Sequence, residues 1–580
     1  MAIIKVWAPR ADKVDLQIQN TRLSMNRKSG SGWWEIEAAL AIHGVDYAFV
    51  LNDGNPIPDP RSSWQPGGVF GLSRILDHTQ FIWHDQNWQA PPLSAAIIYE
   101  LHIGTFSVEG TFDGAITHLD FLRDLGVTHI ELMPVNGFSG LHGWGYDGVN
   151  LYAPHEAYGG PEGLKRLVNA CHERGLAVIL DVVYNHLGPE GNYLENFGPY
   201  FTDRYNSPWG KAVNFDAQQS DEVRRYFCDN ALMWLRDYHF DALRIDATHA
   251  IHDSSAIHIL EQLAREVKEL SASLKRHFYL IAESDLNDPR YLHSFDAYGY
   301  GIDAQWNDDF HHALHAILTN EKEGYYSDFG SLAHLAKAFN KVFVYDGNYS
   351  KFRQRNHGRP VINLSGHHFI AFLQNHDQIG NRAQGDRLTQ SVSIQLLQVA
   401  AALFIFSPFI PMLFQGEEWG ASTPFQYFTD FKDSELKKAV KEGRCREFAA
   451  FGWKFEQVPD PQSETTFINS KLNWEEHKQE PHFSLFNWYK KLIHLRKEIH
   501  ELNDGQFEHV TVSFDEKAKW FMVKRGALVV AANFAQHLQR ISCPEFQLKE
   551  ILLSSNAQNV LLNDTLILQA ESVVIFNTKR

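Results

Sequence analysis

The segment FDALRIDATHAIHD, Phe240 to Asp253, has the apolar rhythm of a buried strand, yet Arg244 and Asp246 interrupt it two residues apart. A charge in a low-dielectric interior is costly unless it is paired or put to use. Strand alternation places both charged side chains on one face and Ile245 and Ala247 on the other. Polar residues close three more apolar runs: Asp181, Asn185 and His186 after LAVIL, Glu283 after YLIA, and Asn375, His376 and Asp377 after FIAFLQ. Acids from separate strands, with an arginine and two histidines but without metal-ligand spacing, fit carboxylate chemistry. Glycoside hydrolysis uses such a set, one carboxylate attacking the anomeric carbon while a carboxyl group protonates the leaving oxygen. Asp246, beside a cation, suits the ionised nucleophile. Glu283, after an apolar run and near other acids, suits the proton donor. Alone, Arg244 and Asp246 read as a structural ion pair; joined by Glu283 and Asp377 they read as a site.

The elements that must bring these residues together alternate along the middle of the chain. Strand-like runs at 95–103, 128–135, 176–185, 240–249, 278–285, 301–306, 368–377 and 411–419 are separated by helical stretches, among them 112–125, 161–174, 220–238 and about 254–270. Eight strands with intervening helices over about 400 residues predict one closed parallel barrel, a (β/α)8 TIM barrel, whose sites lie where the C-terminal strand ends converge. Long insertions at 136–160, 186–219 and about 320–365 fall after strands, on that mouth. Alternation groups Asn375 with Asp377. It leaves His186 and His376 on the opposite parity to Asp181 and Asp377, so each reaches the mouth only where its strand has already ended.

Both ends of the chain carry short alternating runs broken by turns, as in KVWAPR, VDLQIQ and WWEIEA, then HVTVSF, KWFMVKR and SVVIFN. The organisation is therefore an α/β chain of three parts: an N-terminal immunoglobulin-like β-sandwich over 1–90, the barrel over 91–502, and a C-terminal antiparallel β domain over 503–580. DGNPIPDP at 53–60 is a solvated turn, and Glu417 and Glu418 near the eighth strand have structural roles.

A formal charge of -17 argues against nucleic acid or an anionic membrane as the partner. The apolar stretch Leu396 to Phe414 is split by Pro408 and Pro411 into a buried helix and a strand, not a membrane span. The N-terminus has no signal-peptide core, and Cys171, Cys228, Cys445 and Cys543 lack paired spacing, which suits reduced thiols in a cytoplasmic protein.

DVVYNH (181–186), LRIDATHAI (243–251), Glu283 in IAESD and FLQNHDQIGN (372–381) resemble the four motif regions of the alpha-amylase superfamily, in the usual order. The resemblance implies a retaining mechanism with Asp246 as nucleophile, Glu283 as acid/base and Asp377 distorting the bound sugar through its hydroxyls. It also implies that Asp181, His186, Arg244 and His376 complete the subsite of the attacked glucose, with Tyr146 of GWGYDG stacked on that sugar and Trp144 lining the same loop. His249 falls where many amylases carry a lysine on the leaving-group side. Only 187–219 fills the insertion where many amylases carry a calcium-bearing domain, and no cofactor or structural metal is expected.

Longer stretches, including YELHIGTFSVEGTF (99–112), GWGYDGVNLYAPHEAYGGP (143–161) and TPFQYFTDF (423–431), are similar to the trehalose-releasing group of the superfamily. That similarity implies cleavage of the α-1,4 bond next to the terminal trehalose of maltooligosyltrehalose, with a synthase of that substrate as metabolic partner. A glycogen branching enzyme, another glucan hydrolase, and an inactive glycan-binding barrel are the alternatives; the last usually lacks one of the three acids.

Overall fold

The computed structural model describes residues 2–207, 209–449, 453–544, 548–562 and 564–578. Its centre is a closed parallel barrel of β1 (Ile98–Leu101), β2 (His129–Leu132), β3 (Ala177–Val182), β4 (Ala242–Ile245), β5 (Tyr279–Ala282), β6 (Ala304–Trp306), β7 (Phe369–Phe372) and β8 (Ile410–Phe414), each bonded to the next and β8 to β1. All eight expected strands are present, shorter than their apolar runs because the ends bend out into loops.

Alternation divides the inward-facing side chains into layers. The lower one is apolar: Ile98, Ile179, Ala242, Ile281, Ala304 and Ile370 form part of one buried cluster. One step nearer the mouth stand Glu100, Glu131, Asp181 and Arg244, each at most 1% exposed. Trp306 of the same cluster lies under Arg244, its ring centroid 4.1 Å from the guanidinium carbon. The outward residues, such as Leu101, Leu132, Leu180 and Leu243, pack against the helices.

Those helices include α1 (Gly160–Glu173), α2 (Ser220–Asp237), α3 (Ile259–Leu274) and α4 (Asp308–Thr319). The expected helix at 112–125 is broken into Phe112–Ile116 and Leu119–Leu125. Thr117 Oγ1 donates to Gly114 O at 2.7 Å at the break, a side-chain bond that competes with the helical ladder. The helix expected from 254 starts at Ile259. Asp253 accepts the N–H groups of Ser255 and Ile259, at 2.8 and 2.6 Å, and pairs with Arg224, which holds the intervening residues in a turn.

Further along the chain come α5 (His376–Gly380), α6 (Ile394–Ile405), α7 (Ser434–Ala449) and α8 (His482–Glu498). The membrane-like stretch resolves into α6 and β8, and among the described residues no helix is long and apolar enough to cross a membrane.

The N-terminal part is two antiparallel sheets, one of Ala2–Trp7, Trp33–Ala38 and Asn26–Arg27, the other built around Val14–Ile18 and Asp46–Leu51. The C-terminal part is likewise two antiparallel sheets, the larger running from Val510–Asp515 to Ser572–Thr578. The turn at 53–60 corrects one expectation. Asp53 is solvated and pairs with Lys13 and Arg22, but Asp59 is buried and accepts Tyr47 Oη at 2.8 Å. The connecting chain crosses the closed end of the barrel, where Trp88 stacks on His172 and donates to Asp241 at 2.8 Å.

Glu417 and Glu418 lie outside the barrel wall, buried between β1 and α8. Glu418 accepts Tyr99 Oη at 3.0 Å and Glu417 accepts Tyr489 Oη at 3.1 Å. Burial pushes both carboxyls up to about 8. A raised carboxyl contributes stability that is complete below its unfolded value of 4.5 and is lost as pH rises through the folded value. The contribution of these two carboxyls to stability should therefore decline between pH about 4.5 and 8, and Glu417→Gln with Glu418→Gln should make the melting temperature fall less, or rise more, with pH over that range. An identical slope in the double variant would contradict this assignment.

Candidate active site

Arg244 is the hub of the mouth. Its Nη1 donates to Asp181 Oδ1 and Oδ2 at 2.9 and 2.7 Å and to Asp246 Oδ1 at 2.9 Å. Its Nη2 lies 3.0 Å from Glu283 Oε2. The pairing register aligns Asp181 directly with Arg244, and Glu283 follows the last residue of β5. Burial opposes the guanidinium charge, but Asp181 and Glu283 outweigh it and hold Arg244 well above the usual range. One cation thus organises three carboxylates from three adjacent strands.

Each carboxylate has a second support. Asp246 Oδ2 accepts Asn185 Nδ2 at 3.0 Å, and Asn185 Oδ1 is 2.7 Å from His186 Nδ1. Glu283 Oε2 accepts the N–H of Ala247 at 2.7 Å. That N–H is aimed by a left-handed turn at Ala247, whose φ of 38° is strained for a residue with a Cβ. Glu283 is 17% exposed at its side chain and is held at the open mouth by the Ala247 N–H and the Arg244 ion pair, not enclosed by apolar groups as its preceding run suggested. Burial pushes Asp181 up to about 7, with Asp246 adding to the effect and Arg244 opposing it.

Across the mouth, the strand ends decide what parity left open. β7 ends at Phe372, and Asn375 caps the short helix α5 by accepting Gln378 N at 2.8 Å. Asn375 therefore does not share a strand face with Asp377, as simple alternation suggested. Asp377 stands in the first turn of α5, 35% exposed, with Asn381 Nδ2 on its Oδ1 at 3.1 Å. His376 is 1% exposed and has Tyr146 Oη 2.8 Å from its Nε2. Tyr146 Oη also donates to Asp181 Oδ2 at 2.6 Å, and its ring stacks on His376 with centroids 5.1 Å apart. Gly145 before it has φ 99°, and a Cβ there would meet Pro134 O at 2.2 Å, so the turn that presents Tyr146 requires glycine.

β3 ends at Val182, which frees His186 to turn toward the mouth. His186 stacks on Trp209 with centroids 4.7 Å apart, and burial pulls it down to about 4, so it is neutral. Both rings line a cleft of about 580 Å³, with Asp147, Lys211, Tyr427 and Phe431 among its walls. That volume lies within the range of small-molecule sites, roughly 300–1,000 Å³.

The alpha amylase catalytic-domain family matches residues 73–207 and 212–505, and a domain of unknown function, DUF3459, matches 505–575. A malto-oligosyltrehalose trehalohydrolase of Arthrobacter ramosus is 51% identical over 498 residues, 85% of this chain and 87% of its own. The chain belongs to the malto-oligosyltrehalose trehalohydrolases of the alpha-amylase family. A second trehalohydrolase, from Rhizobium sp. (strain M-11), is 50% identical over 91% of this chain and 90% of its own. Among solved structures, a putative alpha amylase from Salmonella typhimurium superposes with a TM-score of 0.91 at 38% identity, covering 100% of this chain and 97% of that one.

Two further residues expected at this site are Trp144 and His249. Trp144 is 5% exposed, stacks on Phe425 at 5.2 Å and donates to Gln426 O at 2.9 Å, so it packs beneath α5 instead of offering a face to sugar. A Cβ on Gly380 would lie 2.0 Å from its ring, which shows how closely α5 sits on it. His249 stands on the 3-10 turn Thr248–Ala250, near enough to Asp285 to help hold that carboxyl below its ordinary value after the cost of burial. Among the described residues its buried Nδ1 has no hydrogen-bond partner.

Sequence reasoning missed several contributors. Glu100 and Glu131 lie inside strands short enough to pass as ordinary polar interruptions. Asp308 at the start of α4 is pushed well above its ordinary range by burial and then by Glu283, Asp285 and Asp377, which adds a further carboxyl group to this side of the mouth. The segment after β8 also covers the mouth: Arg444 of α7 donates to Gly380 O and stands 5.2 Å over the Tyr427 ring. No insertion was expected there, because α7 is polar on most of its surface and leaves little periodic signal.

Proposed function

We propose that this trehalohydrolase cleaves the α-1,4-glucosidic bond next to the terminal trehalose of maltooligosyltrehalose, with retention of configuration, releasing trehalose and a maltooligosaccharide. Asp246 attacks the anomeric carbon, and the glycosyl-enzyme bond forms as the glycosidic C–O bond breaks. Glu283 gives its proton to the leaving trehalose oxygen, then takes one from the water that releases the sugar. Asp377, Asp181 and His376 bind hydroxyls of the attacked glucose, with Tyr146 against its ring. Arg244 holds Asp246 in line and balances charge as the nucleophile is consumed. His186 binds in the same subsite, and His249 contributes on the leaving-group side.

The observation that carries this reading is the single guanidinium that holds Asp246 and Glu283 on its two terminal nitrogens. Such closeness suits a retaining pair, about 5–5.5 Å apart, better than an inverting pair at roughly 6.5–9.5 Å with water between. The substrate part of the reading is supported by the trehalohydrolase relatives. It implies a synthase of trehalose-capped glucan as the metabolic supplier and the cytoplasm as the place of work.

Incubation with maltotriosyltrehalose and, separately, maltopentaose tests the reaction. Free trehalose from the first and little cleavage of the second is the expected product pattern, with the α-anomer of the new reducing end appearing first by NMR. Branched or lengthened products would favour a branching transferase, and equal cleavage of both substrates would favour a general glucan hydrolase.

A further inference from the structure

Glu100 stands in the charged layer of β1, 1% exposed and behind the groups assigned to substrate. Both of its oxygens are given to one residue. Oε1 lies 2.5 Å from His376 Nδ1, and Oε2 accepts the backbone N–H of His376 at 3.0 Å. With one ring nitrogen and the backbone so fixed, the other nitrogen has a single direction. Nε2 points to the mouth, 2.8 Å from Tyr146 Oη and 3.6 Å from Asp377 Oδ1. We propose that Glu100 is a positioning residue of this site, holding His376 as a charged donor aimed at the bound sugar, so that turnover depends on Glu100 only through His376. This rests on the reading of the mouth as the hydrolytic site.

The groups around His376 agree on its charge. Burial pulls the imidazole down, but Glu100 and then Asp377 outweigh it and carry it up to about 9, against a smaller opposing effect of Arg244. From β2, Glu131 adds no negative charge, because burial and then Glu100 hold its carboxyl well above the usual range. From the end of β1, His102 is pulled down to about 3 by burial and adds no positive charge. Asp181 from β3 and Tyr146 complete the surroundings, the tyrosine bridging His376 to Asp181. Glu100 is thus the carboxylate in direct contact with both the ring and the backbone of His376. An imidazolium so anchored donates from both nitrogens without needing to reorient when substrate arrives.

Glu100→Gln tests this, because the amide oxygen can still accept the Nδ1–H while the charge is gone. Carboxylates that orient a metal-bound histidine typically contribute about 10–100-fold, and the same carboxylate–histidine arrangement sets the scale here. The expected result is a fall of that size in kcat with a smaller change in KM. The alkaline limb of the pH–rate profile should also move down by about one pH unit or more. His376→Asn should lower activity at least as much, and adding Glu100→Gln to it should cost little more. Glu100→Asp, which keeps the charge, should retain more of the alkaline limb than Glu100→Gln, and serves if the glutamine variant fails to fold. A Glu100→Gln enzyme with wild-type kcat and an unmoved limb would overturn the proposal, as would independent multiplication of the two substitutions. The assays use whichever α-glucan the wild type cleaves, so an error in the substrate reading leaves this test intact. An error in the site reading would appear separately, as retained turnover in Asp246→Ala.

Discussion

Asp246→Ala is expected to lower kcat by about 10⁴-fold or more, the scale on which loss of a covalent nucleophile is felt. No neighbouring group can replace it. Asp181 is bound to both Arg244 and Tyr146, and Glu283 is held by Arg244 and the Ala247 N–H. The fold should survive, because Asp246 lies just beyond the end of β4 and its removal leaves two carboxylates on Arg244, not an unpaired buried cation. The wild-type enzyme should accumulate a glycosyl adduct with a slow-leaving fluorinated substrate, seen by mass spectrometry, and the alanine variant should show none. Turnover within tenfold of wild type would remove Asp246 from the mechanism.

Arg244→Lys should be nearly as damaging, although the charge is conserved. The guanidinium contacts Asp181, Asp246 and Glu283 through two nitrogens of a rigid fork while its carbon stands 4.1 Å over the Trp306 ring centroid. An ammonium is a point charge with no fork and no planar face. A loss of about 10²–10³-fold in kcat is expected, as for removal of a group that stabilises developing charge. Arg244→Met goes further, since it leaves the carboxylates of a buried cluster without their cation. Breaking a buried pair in this way costs about 3–5 kcal/mol, which should appear as a lower denaturation midpoint at neutral pH. If the methionine variant were as stable as wild type and the lysine variant fully active, the hub role of Arg244 would be refuted.

The fold was legible because every barrel strand is an apolar run that ends in polar residues, and that pattern survives whatever the loops do. Helix starts were less legible. The register of α3 was decided by Asp253, whose contacts to Arg224 and Ile259 come from tertiary neighbours and local turn geometry that periodicity does not carry. Among the site residues, Arg244, Asp246 and Glu283 could be read from strand ends alone. Tyr146 and Asp181 took their roles only by resemblance, and their mutual hydrogen bond belongs to the folded chain.

Trp144 shows the opposite case. A tryptophan in a glycine-rich loop near the mouth looks like a sugar platform, yet packing under Phe425 and α5 turns its ring inward. Glu100 shows why supporting residues escape a sequence reading. It is one acid in a short strand, and its partner lies 276 residues away.

By itself, the sequence determined which strands exist, which acids stand at their ends, and which superfamily motifs those acids form. Local alternation and apolar length are properties of a few neighbouring residues, so they need no knowledge of the rest. The tertiary structure alone decided that one guanidinium serves three carboxylates, that Glu100 directs His376, and that α7 covers the mouth. Those are distances between segments that barrel closure brings together, and charges acting through a low-dielectric interior depend on such distances above all.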